Sequence, residues 1–201
     1  MIGSCIIGRM NFRARLAQFI YDFLDIGKSA RPADCIFVMA GKQERKVFGI
    51  KMWHSGCAPQ LILSVGRFEW RKFEELHLES DGGLVSLVDQ IPPTKRHFFL
   101  HLHGQKATCT PVRKGFLGTD SEAQALAPYL RKMSIRSLVV LSSPAHLRRV
   151  ALAFRRALRK SGVDLTFVAV PEEVAFDSSP ARAQVWSEFL KYLIYWFWLK
   201  F

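Results

Sequence analysis

No run of this chain reaches the roughly 18 uncharged apolar residues that a bilayer-crossing helix requires. The N-terminal piece MIGSCIIGRMNFRAR has an apolar run too short for a secretory h-region, and Arg9, Arg13 and Arg15 follow it on the wrong side. Cysteine is scarce: Cys5, Cys35, Cys57 and Cys109 form no Cys-x-x-Cys pair and share no ligand spacing with histidine. They read as free thiols in a reducing compartment, and no metal site is expected. The glycines of a Walker loop or of a full dinucleotide fingerprint are missing as well. Acidic residues are few, 17 against 29 Lys and Arg, which leaves a net charge of +12. That balance points to anionic partners and does not choose among small phosphates, nucleic acid and an acidic bilayer face. The expected location is the cytoplasm, with peripheral contact at the inner membrane face as the alternative.

What is present reads as one globular domain: 201 residues, 49% hydrophobic and 23% charged. Apolar residues at Phe12, Leu16, Phe19, Ile20 and Phe23 have helical spacing, with Gly27 and Pro32 as stops. Short continuous apolar runs follow at Asp34–Gly41, Gln60–Ser64, His97–His103, Ser137–Ser142 and Leu165–Val170, the pattern of strands buried on both faces. Between them the spacing predicts helices at Gln43–Ser55, Glu69–Glu79, Leu84–Gln90, Ser121–Met133 and Ala145–Lys160. Gly104–Gly118 has no periodicity and reads as a long loop. The chain closes with a helix whose apolar positions Val185, Trp186, Phe189, Leu190, Leu193 and Phe197 repeat at three and four. Strands alternating with helices imply an α/β, Rossmann-like three-layer sandwich with a mostly parallel sheet covered on both sides.

In such sheets ligands sit beyond the carboxyl ends of the strands, so those ends carry the candidate residues. The first supplies Gly41, where the backbone can turn sharply, and Arg45 in the following helix. The second supplies Ser64, Gly66 and Arg67, a backbone cradle with a partner for phosphate or carboxylate. The third supplies His101 and His103 on one strand face, a pair without the further ligands that a metal needs. The fourth is SSPAHLRR. Ser142 or Ser143 can cap the next helix, Pro144 suits its first position, and His146 stands in its first turn with Arg149 one turn on. Further along that helix, Arg148, Arg149, Arg155, Arg156, Arg159 and Lys160 fall within one arc at about 100° per residue, predicting a basic outer face.

The ordered series ADCIFVMAGKQERKVFGIKMWHSGCAPQLILSVG and GTDSEAQALAPYLRKMSIRSLVVLSSPAHLRRVALAFR resembles the YdcF-like family, which includes the ElyC and SanA envelope proteins. The likeness runs from about Ala33 to Pro171. It implies roles for Gly41 and Arg45, Ser64 and Gly66, Thr119 and Glu122, and His146 and Arg149. It also implies a Rossmann-like fold and a nucleotide-type ligand such as S-adenosylmethionine, with a link to cell-envelope processes. The chain departs from the pattern in having one glycine in the first turn and Val65 in the second.

Two functions follow as expectations. In one, an anionic or nucleotide-like small molecule binds at the strand ends, with Arg45 and Arg149 clamping charge, His146 moving protons, and Glu122 orienting His146 or serving as base. In the other, a non-catalytic envelope factor docks on anionic membrane or a protein partner through the basic helix and the aromatic segment Tyr192–Phe201. The same aromatic spacing also suits burial on the sheet. Nucleic acid rests on charge alone, with no recognition motif behind it.

Overall fold

The computed structural model describes residues 11–66, 69, 97–113, 115 and 117–200. Arg67 and the two helices expected between Glu69 and Gln90 therefore lie outside the described residues, Glu69 excepted. Helix α1 (Phe12–Leu24) is capped by Asn11, whose side-chain oxygen accepts from the Ala14 N–H. Strand β1 (Cys35–Val38) leads to α2 (Gln43–His54) and β2 (Gln60–Val65). Strands β3 (Phe98–His103) and β4 (Lys106–Pro111) precede α3 (Gly118–Lys132) and β5 (Ser137–Ser142). Helix α4 (Pro144–Ala157), β6 (Asp164–Ala169) and α5 (Ser179–Lys200) complete the chain.

The six strands form one sheet in the order β4-β3-β2-β1-β5-β6. β2, β1, β5 and β6 run parallel, and β3 and β4 are antiparallel additions at one edge. On one face Ile36, Val38, Leu61, Leu63 and Leu141 pack with Ile50 of α2. On the other, Phe37, Ile62, Phe99 and Val140 pack with Leu126 of α3 and with Val150 and Phe154 of α4. The architecture is a three-layer α/β sandwich of Rossmann-like type, as the alternation of runs predicts.

Helix α2 comes unusually close to the sheet. A Cβ at Gly49 would lie 2.4 Å from Val38 Cγ2, so no side chain fits between them. Outside the sandwich, α1 and α5 pack on α4 and on each other, with Ile20, Leu24, Ala145 and Val185 at their shared core.

Three expectations need correction. β3 runs antiparallel to β2, so His101 and His103 sit at the opposite end of the sheet from the other strand ends. There His101 Nε2 meets Gln60 Oε1 at 2.9 Å, and the two imidazoles stack. The expected loop after Gly104 contains β4. Gly104, at φ +56°, and Gln105 make a two-residue hairpin turn, and Thr108 and Thr110 suit an edge strand. The basic face that begins on α4 is covered only at its N-terminal end. Arg149 is buried and Arg148 lies 4.1 Å over the Phe23 ring, whereas Arg155, Arg156, Arg159 and Lys160 are exposed as expected. Helix α4 is the middle helix of its layer, and α1 and α5 take the side on which Arg148 and Arg149 stand.

Replacing Gly49 by alanine should cost about 1–3 kcal/mol of unfolding free energy despite the better helix propensity, because the methyl meets Val38. Urea denaturation at neutral pH measures it; unchanged stability would contradict the packing described.

Candidate functional site

The carboxyl ends of β1 and β2 and the first turns of α3 and α4 border a cavity of about 540 Å³, roofed by α5. That volume is of small-molecule size. Gly41, Gly66, Thr119, Glu122, His146 and Arg149 all line it. Four parts of the chain distant in sequence thus meet at one margin of the sheet.

His146 is buried in the first turn of α4. Arg149 donates to Thr119 Oγ1 at 2.6 Å, so that hydroxyl keeps its own proton to give to His146 Nε2, 3.3 Å away. The His146 Nδ1–H then donates to Ser142 Oγ at 2.9 Å, a tautomer assigned from the network. Burial, then the charges of Arg149, Arg45 and Lys191, hold the imidazole well below its ordinary pKa. The resting group is a neutral imidazole with Nε2 as acceptor.

Arg149 is less free than the charge-clamp expectation supposed. Its guanidinium bonds Glu188 Oε2 at 2.8 Å and sits 5.0 Å over the Tyr195 ring. Lys191 bonds the other Glu188 oxygen at 2.9 Å. Burial pushes the Glu188 pKa up, but Arg149 and Lys191 together bring it below the usual carboxylate value. The phenol of Tyr195 accepts from the Thr119 N–H at 3.2 Å, joining the roof to α3. One cavity wall therefore carries two cations sharing one carboxylate.

The lining also carries acidic and imidazole groups. His97 Nε2 stands 3.5 Å from Glu122 Oε1 and 3.4 Å from Ser64 Oγ. Glu122 thus belongs with His97, and Thr119 takes the place beside His146 that was expected of Glu122. Glu69 lines the same cavity, accepting from the Gly41 N–H at 2.7 Å and pairing with buried Lys46. Among the described residues, His97 Nδ1, Glu122 Oε2 and Arg149 Nε are buried without a hydrogen-bond partner. Such orphans are expensive inside a fold and are common where a ligand completes the network.

Arg45 and Ser143 fall outside this cavity. The Arg45 Nε donates to Ser143 Oγ at 3.0 Å, and another guanidinium nitrogen donates to the Ala40 carbonyl at 2.8 Å. Both residues line an adjoining cavity of about 410 Å³ with Lys42 and Glu172, which form an ion pair. Gly41 explains the placement: its φ is +125°, and a Cβ there would lie 2.9 Å from the Arg45 guanidinium. Ser143 does precede α4 as its N-cap, with Pro144 first in the helix, but its hydroxyl serves Arg45 and not the helix N–H groups. Ser64 and Ser142 lie beneath the cavity floor, each touching a histidine.

Sequence reasoning missed His97, Lys191, Glu188 and Tyr195. His97 reaches the site because β3 runs antiparallel to β2, which brings the start of that strand, not its end, to the carboxyl margin. For the roof the signal was thin: Glu188 is the one carboxylate of a helix rich in apolar residues, with Lys191 and Tyr195 one and two turns on.

No family model matches the chain, and comparison with curated proteins and with solved structures finds no match either. Among the described residues no group of three or more His, Cys, Asp or Glu is placed to hold a metal ion.

Two outcomes follow. Because the folded pKa of His146 lies below its ordinary 6.5, its contribution to stability is complete above that pH and is lost as pH falls toward the folded value. His101, depressed by burial and by His103, acts in the same direction. Urea midpoints should therefore fall as the pH drops below 6.5, and His146→Gln should flatten that slope while leaving the His101 share. Glu188→Ala strands the Arg149 guanidinium and should cost about 3–5 kcal/mol, read from the same denaturation experiment.

Proposed function

We propose that the chain binds an anionic, hydroxyl-bearing small molecule of nucleotide type in the larger cavity, and that His146 exchanges a proton with it. The observation that carries this reading is the bipolar lining. Arg149 and Lys191, which share the Glu188 charge, and the Glu122–His97 pair line the same cavity. An anionic group suits the cations, and ligand hydroxyls or amines suit the carboxylate and imidazole.

Neutral His146 is in the protonation state a general base requires, with Nε2 reached through the Thr119 hydroxyl. The Glu122–His97 pair is a second proton-handling group within the same cavity. A proton taken by one group and returned by the other is the arrangement general acid–base catalysis uses. The resemblance of the residue series to the YdcF-like pattern would suit a ligand at these strand ends, and S-adenosylmethionine belongs in the test for that reason. A role in envelope biogenesis rests on that resemblance alone.

The test is native mass spectrometry of the freshly purified chain, followed by calorimetry with inorganic phosphate, AMP, a hexose phosphate and S-adenosylmethionine. At least one compound is expected to bind, and His146→Gln or Thr119→Val should weaken it about tenfold, roughly 1.4 kcal/mol, with the fold intact. Absence of binding across the panel, or binding indifferent to both substitutions, would remove the reading.

A further inference from the structure

Helices α1 and α5 turn their largest apolar side chains outward. In α1, Phe12, Leu16, Phe19 and Phe23 follow the spacing of a single helix face, and Phe12 and Phe19 are 78% and 70% exposed. The inward side of the same helix is mostly small, with Ala14, Ala17, Ile20 and Leu24 buried. In α5, Trp186, Leu190 and Leu193 repeat the spacing and are exposed, and Leu190 is 56% accessible. Its inward side holds Val185, the Glu188 carboxylate and Tyr195. The two helices touch, Phe23 lying edge-on to Phe189 and Tyr192 at 6.2 and 5.7 Å.

This inverts the usual amphipathic logic. A soluble domain rarely leaves an aromatic stripe uncovered on one helix, and here two neighbouring helices do so. The bordering charge is positive: Arg13 and Arg15 on α1 and Lys191 on α5 are exposed. Carboxylates are fewer there: Glu188 is paired inward, and exposed Asp22 is the one carboxylate of α1. Among the described residues no helix is long and apolar enough to cross a membrane, so α5 cannot satisfy its outer face by spanning one.

We propose that the α1–α5 face seats on the interface of an anionic lipid bilayer. Phe and Trp rings would enter the headgroup–acyl boundary while Arg13, Arg15 and Lys191 meet the headgroups. Charge favours that occupant over a second copy of the chain, because a net charge of +12 repels its own kind and attracts anionic lipid. The surface differs from the α4 basic face and meets the polar cavity at its edge, where Lys191 and Ile194 belong to both.

The experiment is co-sedimentation of the full chain with vesicles of phosphatidylcholine alone and with added phosphatidylglycerol, at low and moderate salt. The chain should partition onto the anionic vesicles, more weakly as salt rises. Phe19→Glu with Leu190→Glu should reduce that partitioning by about tenfold or more. Circular dichroism and the thermal midpoint should stay unchanged, because both side chains are exposed, and Phe12→Ser with Leu193→Ser repeats the test if the first pair fails to fold. Wild-type chain left in the supernatant with anionic vesicles overturns the proposal, as does sedimentation indifferent to both pairs. A dimer in light scattering that the same substitutions dissolve, without vesicle binding, overturns it in favour of a second copy.

Discussion

The Arg149 guanidinium ties the functional end of this molecule together. It reaches α3 through the Thr119 hydroxyl and α5 through Glu188, and it lies over the Tyr195 ring. A buried cation has few ways to persist: it must be matched by a carboxylate and enough acceptors, or the fold rearranges around it. Here the match comes from the one carboxylate of α5, a helix rich in apolar side chains, so Glu188 sets which side of that helix faces inward. The roof of the cavity and the outward aromatic stripe then have a common origin. Turning Glu188 toward Arg149 turns Trp186, Leu190 and Leu193 away from it.

The same cation shapes the chemistry beneath it. By occupying the acceptor lone pairs of Thr119 it directs that hydroxyl's proton toward His146, and its charge adds to burial in keeping the imidazole neutral. The same lining takes the other sign from Glu122 and Glu69, with His97 beside Glu122. Low dielectric strengthens each of these interactions and makes an unmatched member costly. The partnerless atoms of His97, Glu122 and Arg149 are therefore the places where a bound molecule has most to add.

Sheet topology explains which histidine belongs to this site. With parallel neighbours only, the last residues of β3 would stand at the carboxyl margin, and His101 would face the cavity. β2 pairs with β3 in the reverse sense, and His97, just before β3, arrives in its place. Strand direction thus decides which imidazole can meet Glu122.

Much of the frame was legible along the chain. Runs such as Cys35–Val38 and Ser137–Ser142 announce buried strands because a strand covered on both faces needs apolar residues at every position. The positions of Gly41, His146 and Arg149 followed from the rule that parallel strands deliver polar groups to one margin, and Thr119 was named only through the resemblance to the YdcF-like pattern. Local pattern could not say which partner each side chain would choose. Arg45 went to Ser143 and the Ala40 carbonyl, Glu122 went to His97, and Glu188 reached Arg149 from 39 residues away. Nor could periodicity tell the inside of α1 and α5 from the outside, since equal spacing marks a stripe without saying what covers it. Those choices depend on contacts between distant segments, and desolvation and pairing energies settle them only once the chain has closed.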